Sequence, residues 1–143
     1  MGVEIERKFL VTSDQWRSEI DSSDFIMQGY FGGDDHTSVP VRSVGDRAWL
    51  NIKGKTLGAR RLEFEYPVPL SDAQDMLREL ARKRVIAKTR HYVRHGGHRW
   101  EIDEFEGANK GLVVAEIELD AEDECFERPA WVGAEVTEEA RYY

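Results

Sequence analysis

The chain has 143 residues, a length that fits one domain and lets it bury about 70% of its unfolded surface without cross-links. Its 28 acidic residues outnumber 20 basic ones, giving a formal charge of −8 and no bulk attraction for a nucleic-acid polymer or an anionic membrane. A single cysteine, Cys125, excludes an internal disulfide and a cysteine metal site, so a reduced, cytoplasmic setting is expected.

Glu4 and Glu6 stand where a signal peptide would need an unbroken apolar region, so none is expected. Glu6 also occupies the position at which a myristoylation signal beginning at Gly2 needs Ser or Thr. In the same segment Val3, Ile5 and Phe9 alternate with Glu4, Glu6 and Lys8, the pattern of a half-buried strand. Thr12 and Gln15 have capping-box spacing and predict a short helix starting at Thr12. Strands are read over residues 25–31, 39–44 and 49–53, with Gly45-Asp46 as a hairpin turn. Leu62, Phe64 and Tyr66 then alternate with Arg61, Glu63 and Glu65. A helix is predicted over 71–84, capped by Ser71 and Gln74, with Met76, Leu77 and Leu80 as one buried stripe.

A strand over 86–93 and a turn at Gly96-Gly97 follow, and Trp100 and Ile102 alternate with Glu101 and Asp103. The last strand sets Ala115, Ile117 and Leu119 against Glu116 and Glu118, and short turns are expected after Asp120 and Thr137. Trp131 is read as a core anchor for the carboxy-terminal segment, and Cys125 as inert. His91, His95 and His98 flank the Gly96-Gly97 turn and raise a zinc or nickel site, but nothing completes a four-ligand set, so solvated turn residues are the preferred reading. The longest apolar run, Leu112-Val113-Val114-Ala115, is far short of the roughly 20 residues that span a bilayer.

No repeat or linker divides the chain, which is taken as one domain over 1–143. About eight strands with little helix describe a mainly β (α+β) fold, and an antiparallel sheet of that width must curl, split or close to protect its edges. Closure is favoured. Periodicity does not say which face points inward, and in an ordinary sheet the charged face is the wet one. Against that stands the recurrence of carboxylate pairs two residues apart: Glu4/Glu6, Glu63/Glu65, Glu101/Asp103 and Glu116/Glu118. Each pair shares one face of its strand and repels itself, so a solvated sheet gains nothing by collecting them, whereas a hard divalent cation needs clustered oxygens. Lys8, Arg42, Lys53, Arg61, Lys88 and Arg90 lie on the same strands or their neighbours and are phosphate ligands in kind. A lining of both signs suits a polyphosphate with its metals better than either alone.

Glu4-Ile5-Glu6-Arg7-Lys8 resembles the amino-terminal E-x-E-x-K signature of the CYTH domain, that of the triphosphate tunnel metalloenzymes. The resemblance continues through Gln28-Gly29-Tyr30, Leu50-Asn51-Ile52-Lys53-Gly54, Arg61-Leu62-Glu63-Phe64-Glu65, Lys88-Thr89-Arg90, Trp100-Glu101-Ile102-Asp103, Ala115-Glu116-Ile117-Glu118, Glu135-Val136-Thr137 and Arg141-Tyr142. It implies an eight-stranded antiparallel closed β-barrel, a tunnel with charged faces inward and a few short flanking helices. It also implies two Mg²⁺ or Mn²⁺ ions on Glu4, Glu6, Glu116 and Glu118. Lys8, Arg42, Lys53, Arg61, Lys88 and Arg90 would grip the phosphates, and Glu63, Glu65, Glu101 and Asp103 would form a supporting acidic set. Two departures stand out: Pro40 where the family usually has the first Arg of an Arg-x-Arg pair, and a chain that stops at Tyr143, before the longer terminal helix of many relatives.

The expected activity is metal-dependent hydrolysis of a linear triphosphate, most simply tripolyphosphate to pyrophosphate and phosphate. The catalytic set would be Glu4, Glu6 and Lys8, with an ion near Glu4 and Glu6 activating water and Lys8 able to assist proton transfer. The expected partner is a small triphosphate, with no nucleic-acid polymer and no membrane, and a homodimer is compatible with the sequence. Class IV adenylate cyclase and thiamine triphosphatase share the signature and remain alternatives within enzymes. A non-catalytic polyphosphate-binding module is the alternative of another class.

Overall fold

The computed structural model describes residues 2–33, 37–81 and 85–139. Its strands are β1 (Val3–Val11), β2 (Ile20–Gly33), β3 (Thr37–Val44), β4 (Arg47–Gly54), β5 (Arg60–Val68), β6 (Val85–His95), β7 (His98–Phe105), β8 (Val113–Glu118) and β9 (Val132–Glu135). They run β5-β4-β3-β2-β6-β7-β8-β1, and β5 pairs again with β1, so eight antiparallel strands close into a barrel. Gly45 and Gly96 turn the β3–β4 and β6–β7 hairpins with positive φ, the two turns expected from the sequence. The ninth strand was not foreseen. It pairs with β1 through Phe9↔Glu135 and Val11↔Val132, beyond the Val3–Ile5 stretch that pairs with β5.

The barrel is inverted relative to an ordinary half-wet sheet. Glu4, Glu6 and Lys8 face the lumen, while Ile5 and Phe9 on the opposite face of β1 are buried outside the wall. There they join Trp16, Val93, Trp100, Ile102, Ala115, Ile117, Leu119 and Trp131 in the main core. The segment after β8 covers this side: Trp131 is 2% exposed and packs edge-on against Trp100 with ring centroids 5.5 Å apart, the anchor role expected of it. Each such side chain removed from water contributes on the order of 1.5–3 kcal/mol. Burial therefore pins the outer wall, and the charges on alternate residues are carried inward. The expected turns after Asp120 and Thr137 are present, closed by Glu124 N–H to Ala121 O and Glu139 N–H to Val136 O.

Several local expectations are corrected. The helix is α1 (Leu70–Asp75), continued by a π-helical stretch, Met76–Ala81; residues 82–84 of the expected span lie outside the described residues. Its N-cap is Pro69, with no side-chain cap, so Ser71 and Gln74 form no capping box. The buried stripe is Ala73, Leu77 and Ala81, four apart, while Leu80 is 60% exposed. The wider π turn holds positions four apart on one face longer than an α-helix does. This face packs on Val41 and Ala48, and Gly29 permits the approach, since a Cβ there would lie 2.6 Å from Ala81 Cβ. The helix expected at Thr12 is a 3₁₀ turn, Gln15–Glu19, and the Thr12 hydroxyl donates to Trp131 O instead of capping it. Leu62, Phe64 and Tyr66 alternate as predicted but stay exposed on the outer face of β5. Among the described residues no helix is long and apolar enough to cross a membrane. Arg141, Tyr142 and Tyr143 lie outside the described residues.

Candidate active site

The barrel encloses a cavity of about 470 Å³, and every charged residue singled out from the sequence lines it. β1 contributes Glu4, Glu6 and Lys8; β3 Arg42; β4 Lys53; β5 Arg61, Glu63 and Glu65; β6 Lys88 and Arg90; β7 Glu101 and Asp103; β8 Glu116 and Glu118. Register brings distant residues together. Glu6 stands opposite Glu118 and Lys8 opposite Glu116 on the β1–β8 ladder, and Glu4 opposite Arg61 where β1 meets β5.

Acid and base interleave around the lumen. Arg61 Nε donates to Glu4 Oε2 at 2.8 Å and its Nη2 lies 3.7 Å from Glu6 Oε1. Lys8 Nζ is 3.0 Å from Glu116 Oε1, and Lys88 Nζ donates to Asp103 Oδ2 at 2.7 Å. Arg90 donates twice to Asp103, at 2.7 and 2.9 Å, and reaches Glu101 at 2.8 Å and Glu116 at 3.6 Å. Arg42 makes a long contact of 3.5 Å to Glu65 and lies 5.9 Å from the Trp49 ring centroid.

These surroundings divide the carboxylates in two. Burial pushes Glu116 and Asp103 up, but Lys8, Arg90 and Lys88 around the first and Arg90 and Lys88 around the second outweigh it, and both titrate below the usual range. Burial pushes Glu6 well above that range, aided by the charges of Glu116 and Glu4. Glu4 is raised by burial and by a hydrogen bond shared with Glu63, against the pull of Arg61. Glu118 is raised by burial and by Glu4, Glu63 and Glu116, and Glu101 by burial despite Arg90. On the basic side, burial and the neighbouring Arg61 push the Lys53 ammonium down.

Among the described residues no three carboxylate or imidazole groups converge as a ready-made metal cage. The donor chemistry nevertheless fits a hard cation. Glu4, Glu6, Glu116 and Glu118 crowd one side of the lumen, three of them hold their protons more tightly than usual, and Glu63 Oε2 is buried without a hydrogen-bond partner. A divalent ion completed by water and substrate oxygens is the kind of charge such a set lacks.

Sequence reasoning missed part of the lining. Gln28 and Tyr30 sit on the inward face of β2, with Gln28 Nε2 donating to the Tyr30 hydroxyl at 2.6 Å, and Ser38 shares the face of Arg42. Ile86, Phe105, Leu112 and Val114, with Asn109, add an apolar sector. Ser38, Ile86, Phe105, Leu112 and Val114 stand at even spacing from charged lining residues nearby in sequence, which alone does not mark a neutral side chain as functional. Gln28 and Tyr30 were marked only by the Gln28-Gly29-Tyr30 stretch of the CYTH resemblance. Pro40 lies between Ser38 and Arg42, fully buried, opposite Tyr30. The β3–β4 pairing skips from Ser38↔Lys53 to Val41↔Leu50 at this point, as a residue without N–H requires. On the outer wall His95 and His98 stand opposite each other across the β6–β7 hairpin, yet each histidine keeps its own carboxylate: His91 with Glu104, His95 with Glu127 and His98 with Glu124. His91 is buried where a solvated turn residue was expected.

The CYTH domain family matches residues 2–143. This chain belongs to the CYTH domain family. The CYTH protein is 44% identical over 142 residues to the inorganic triphosphatase of Acetivibrio thermocellus, covering 99% of this chain and 90% of that protein. It is 32% identical over 143 residues to the inorganic triphosphatase of Nitrosomonas europaea, covering 97% and 92%. Among solved structures, that of an inorganic triphosphatase superposes with a TM-score of 0.69 at 28% identity, covering 100% of this CYTH chain and 92% of the other.

Proposed function

We propose that this CYTH protein is a metal-dependent triphosphatase that hydrolyses tripolyphosphate to pyrophosphate and phosphate. The observation that carries this reading is the barrel lumen itself, closed by eight strands and lined by interleaved acids and bases. The relatives named as inorganic triphosphatases support it. Arg61, Lys8, Lys88 and Arg90 are each held by carboxylates. A triphosphate entering the lumen competes for those cations, and Arg42 and Lys53 add two more. As phosphate oxygens take Arg61 and Lys8, the carboxylates of Glu4, Glu6 and Glu116 are released from their ion pairs. Glu4, Glu6, Glu116 and Glu118 are then the residues to hold Mg²⁺ or Mn²⁺, two ions on this reading, which supply Lewis-acid charge to the phosphoryl oxygens. Asp103 and Glu101 keep Arg90 and Lys88 oriented, so the chain positions charge along the reaction axis instead of supplying covalent chemistry.

A product panel with tripolyphosphate, ATP, thiamine triphosphate and pyrophosphate, each with Mg²⁺, Mn²⁺ or chelator, tests the proposal. Tripolyphosphate is expected to be cleaved with kcat/KM at least about tenfold above ATP, roughly 1.4 kcal/mol of transition-state stabilisation. Conversion of ATP to a cyclic nucleotide at an equal rate would reassign the chain to a cyclase. Thermal stabilisation by triphosphate without turnover would make it a binding module.

A further inference from the structure

β1 carries three of the lumen charges, Glu4, Glu6 and Lys8, yet one of its edges lacks a continuous neighbour. On one side β8 pairs with it from Glu6 to Leu10. On the other, β5 pairs with Val3–Ile5 and β9 takes over only at Phe9, so Glu6, Arg7 and Lys8 fall in a gap between two strands. In an antiparallel ladder alternate residues turn their backbone groups to the same neighbour. Glu6 and Lys8 point into the gap, away from β8. Glu6 N–H donates to Ala59 O at 3.0 Å, Lys8 N–H donates to Thr137 Oγ1 at 3.0 Å, and Lys8 O accepts from Val136 N–H at 2.8 Å.

Thr137 thus supplies with a side chain the acceptor that a neighbouring strand would supply with a carbonyl. It is 5% exposed, and its own hydrogen is committed: Oγ1 donates to Glu135 Oε2 at 2.6 Å, an oxygen that Arg7 Nε also holds at 2.9 Å. With its donor fixed on that side, the hydroxyl presents a lone pair to Lys8 N–H, and a β-branched residue has little χ1 freedom to turn away. Thr137 lies outside the lumen, in a hollow shared with Arg7, Ala59 and Glu135, so it is placed to act only through the strand. Lys8 itself is buried inside, with Nζ 3.0 Å from Glu116 Oε1. We propose that Thr137 is a positioning residue, whose hydroxyl fixes the backbone under Lys8 and thereby aims its ammonium into the lumen. This role rests on the triphosphatase reading, in which Lys8 grips phosphate.

Thr137→Val keeps the shape and removes the acceptor. Hydrolysis of tripolyphosphate with Mg²⁺ and hydrogen exchange at the Lys8 amide, both on the whole protein, test the role. The variant is expected to fold, to lose about tenfold in kcat with KM moved by less than about threefold, and to exchange the Lys8 amide faster than wild type. Thr137→Ser is expected to restore both, because it returns the hydroxyl. Thr12→Val removes another hydroxyl bond between this segment and the end of β1, at Trp131 O, and is expected to leave kcat and the Lys8 amide unchanged. The proposal fails if Thr137→Val keeps wild-type kcat or wild-type Lys8 exchange, or if Thr137→Ser recovers neither. It fails equally if Thr12→Val loses as much activity as Thr137→Val, or if neither Thr137→Val nor Thr137→Ala folds. Hydrolysis by the wild type is scored separately. A wild type that does not cleave tripolyphosphate, with Lys8 exchange still dependent on Thr137, removes only the functional reading. An active wild type whose turnover is indifferent to Thr137→Val removes only the Thr137 role.

Discussion

Arg61 donates its Nε–H to Glu4 Oε2 at 2.8 Å across the seam where β5 meets β1 and the barrel closes. The bond does not stabilise a charge that is otherwise comfortable. Glu4 is raised above its ordinary value by burial and by Glu63 despite Arg61, so its charge is harder to hold here than on a solvated carboxylate. A divalent ion would relieve that crowding.

Glu4→Gln should therefore fold and melt no lower than wild type in chelator, because the amide keeps an acceptor for Arg61 while removing a crowded charge. Its melting rise on adding Mg²⁺ or Mn²⁺ with tripolyphosphate should be smaller, and hydrolysis should fall by roughly two orders of magnitude or more. Differential scanning fluorimetry and phosphate release measure both. A folded Glu4→Gln protein with wild-type turnover would remove Glu4 from the proposed metal set.

Pro40 interrupts a lumen-facing row between Ser38 and Arg42. Pro40→Arg restores a ladder N–H and adds a cation, so KM for tripolyphosphate should drop by an amount worth on the order of 1–2 kcal/mol, with kcat little changed. Steady-state kinetics on the folded variant decide it. An unchanged KM would mean that the neighbouring side chains already supply what Arg would add.

The hairpins and the charged rows were legible because period-two alternation and Gly turns are local properties of the chain. The direction of the rows was not. Glu4, Glu6 and Lys8 alternate with Ile5 and Phe9 in the same way whether the charged face is wet or enclosed, and only ring closure with an outer apolar cover distinguishes the two. β9 escaped notice because its four residues, Val132–Glu135, carry too short a pattern to read. The helix was found but misphased, since a π turn shifted its buried face onto Ala73, Leu77 and Ala81.

His98 Nε2 lies 2.6 Å from Glu124 Oε2 and ties the segment after β8 to the β7 wall. The bond to Glu124 holds His98 above the usual imidazole range and Glu124 below the usual carboxylate range. A raised imidazole means that the native state keeps a proton the unfolded chain has released. The pair's stabilisation is thus present below the unfolded value of about 6.5 and is lost as pH rises through the raised one. At the acid end it is lost as pH falls through the depressed Glu124 range. Melting of wild type should exceed that of Glu124→Gln near pH 6, and the gap should close in alkaline buffer. A gap independent of pH would show that the pair is held for reasons other than charge.

Asp103 offers the opposite case to Glu4. It is 1% exposed, accepts from Lys88 at 2.7 Å and from Arg90 at 2.7 and 2.9 Å, and titrates below the usual range, because those two cations outweigh its burial. Asp103→Asn keeps the shape and removes the charge, leaving two buried cations short of their anion. Losing one partner of such a buried set costs about 3 kcal/mol, so the variant should melt clearly below wild type in chelator. Tripolyphosphate would then bring negative charge to Lys88 and Arg90 without displacing Asp103, and the ligand-induced rise in Tm should exceed that of wild type. The two carboxylates would thus shift the melting response in opposite directions, Glu4→Gln shrinking the rise and Asp103→Asn enlarging it. If Asp103→Asn melts like wild type in chelator, or gains no more than wild type from tripolyphosphate, then Lys88 and Arg90 are not the phosphate grip and the division of the lumen into metal-binding and cation-orienting carboxylates is wrong.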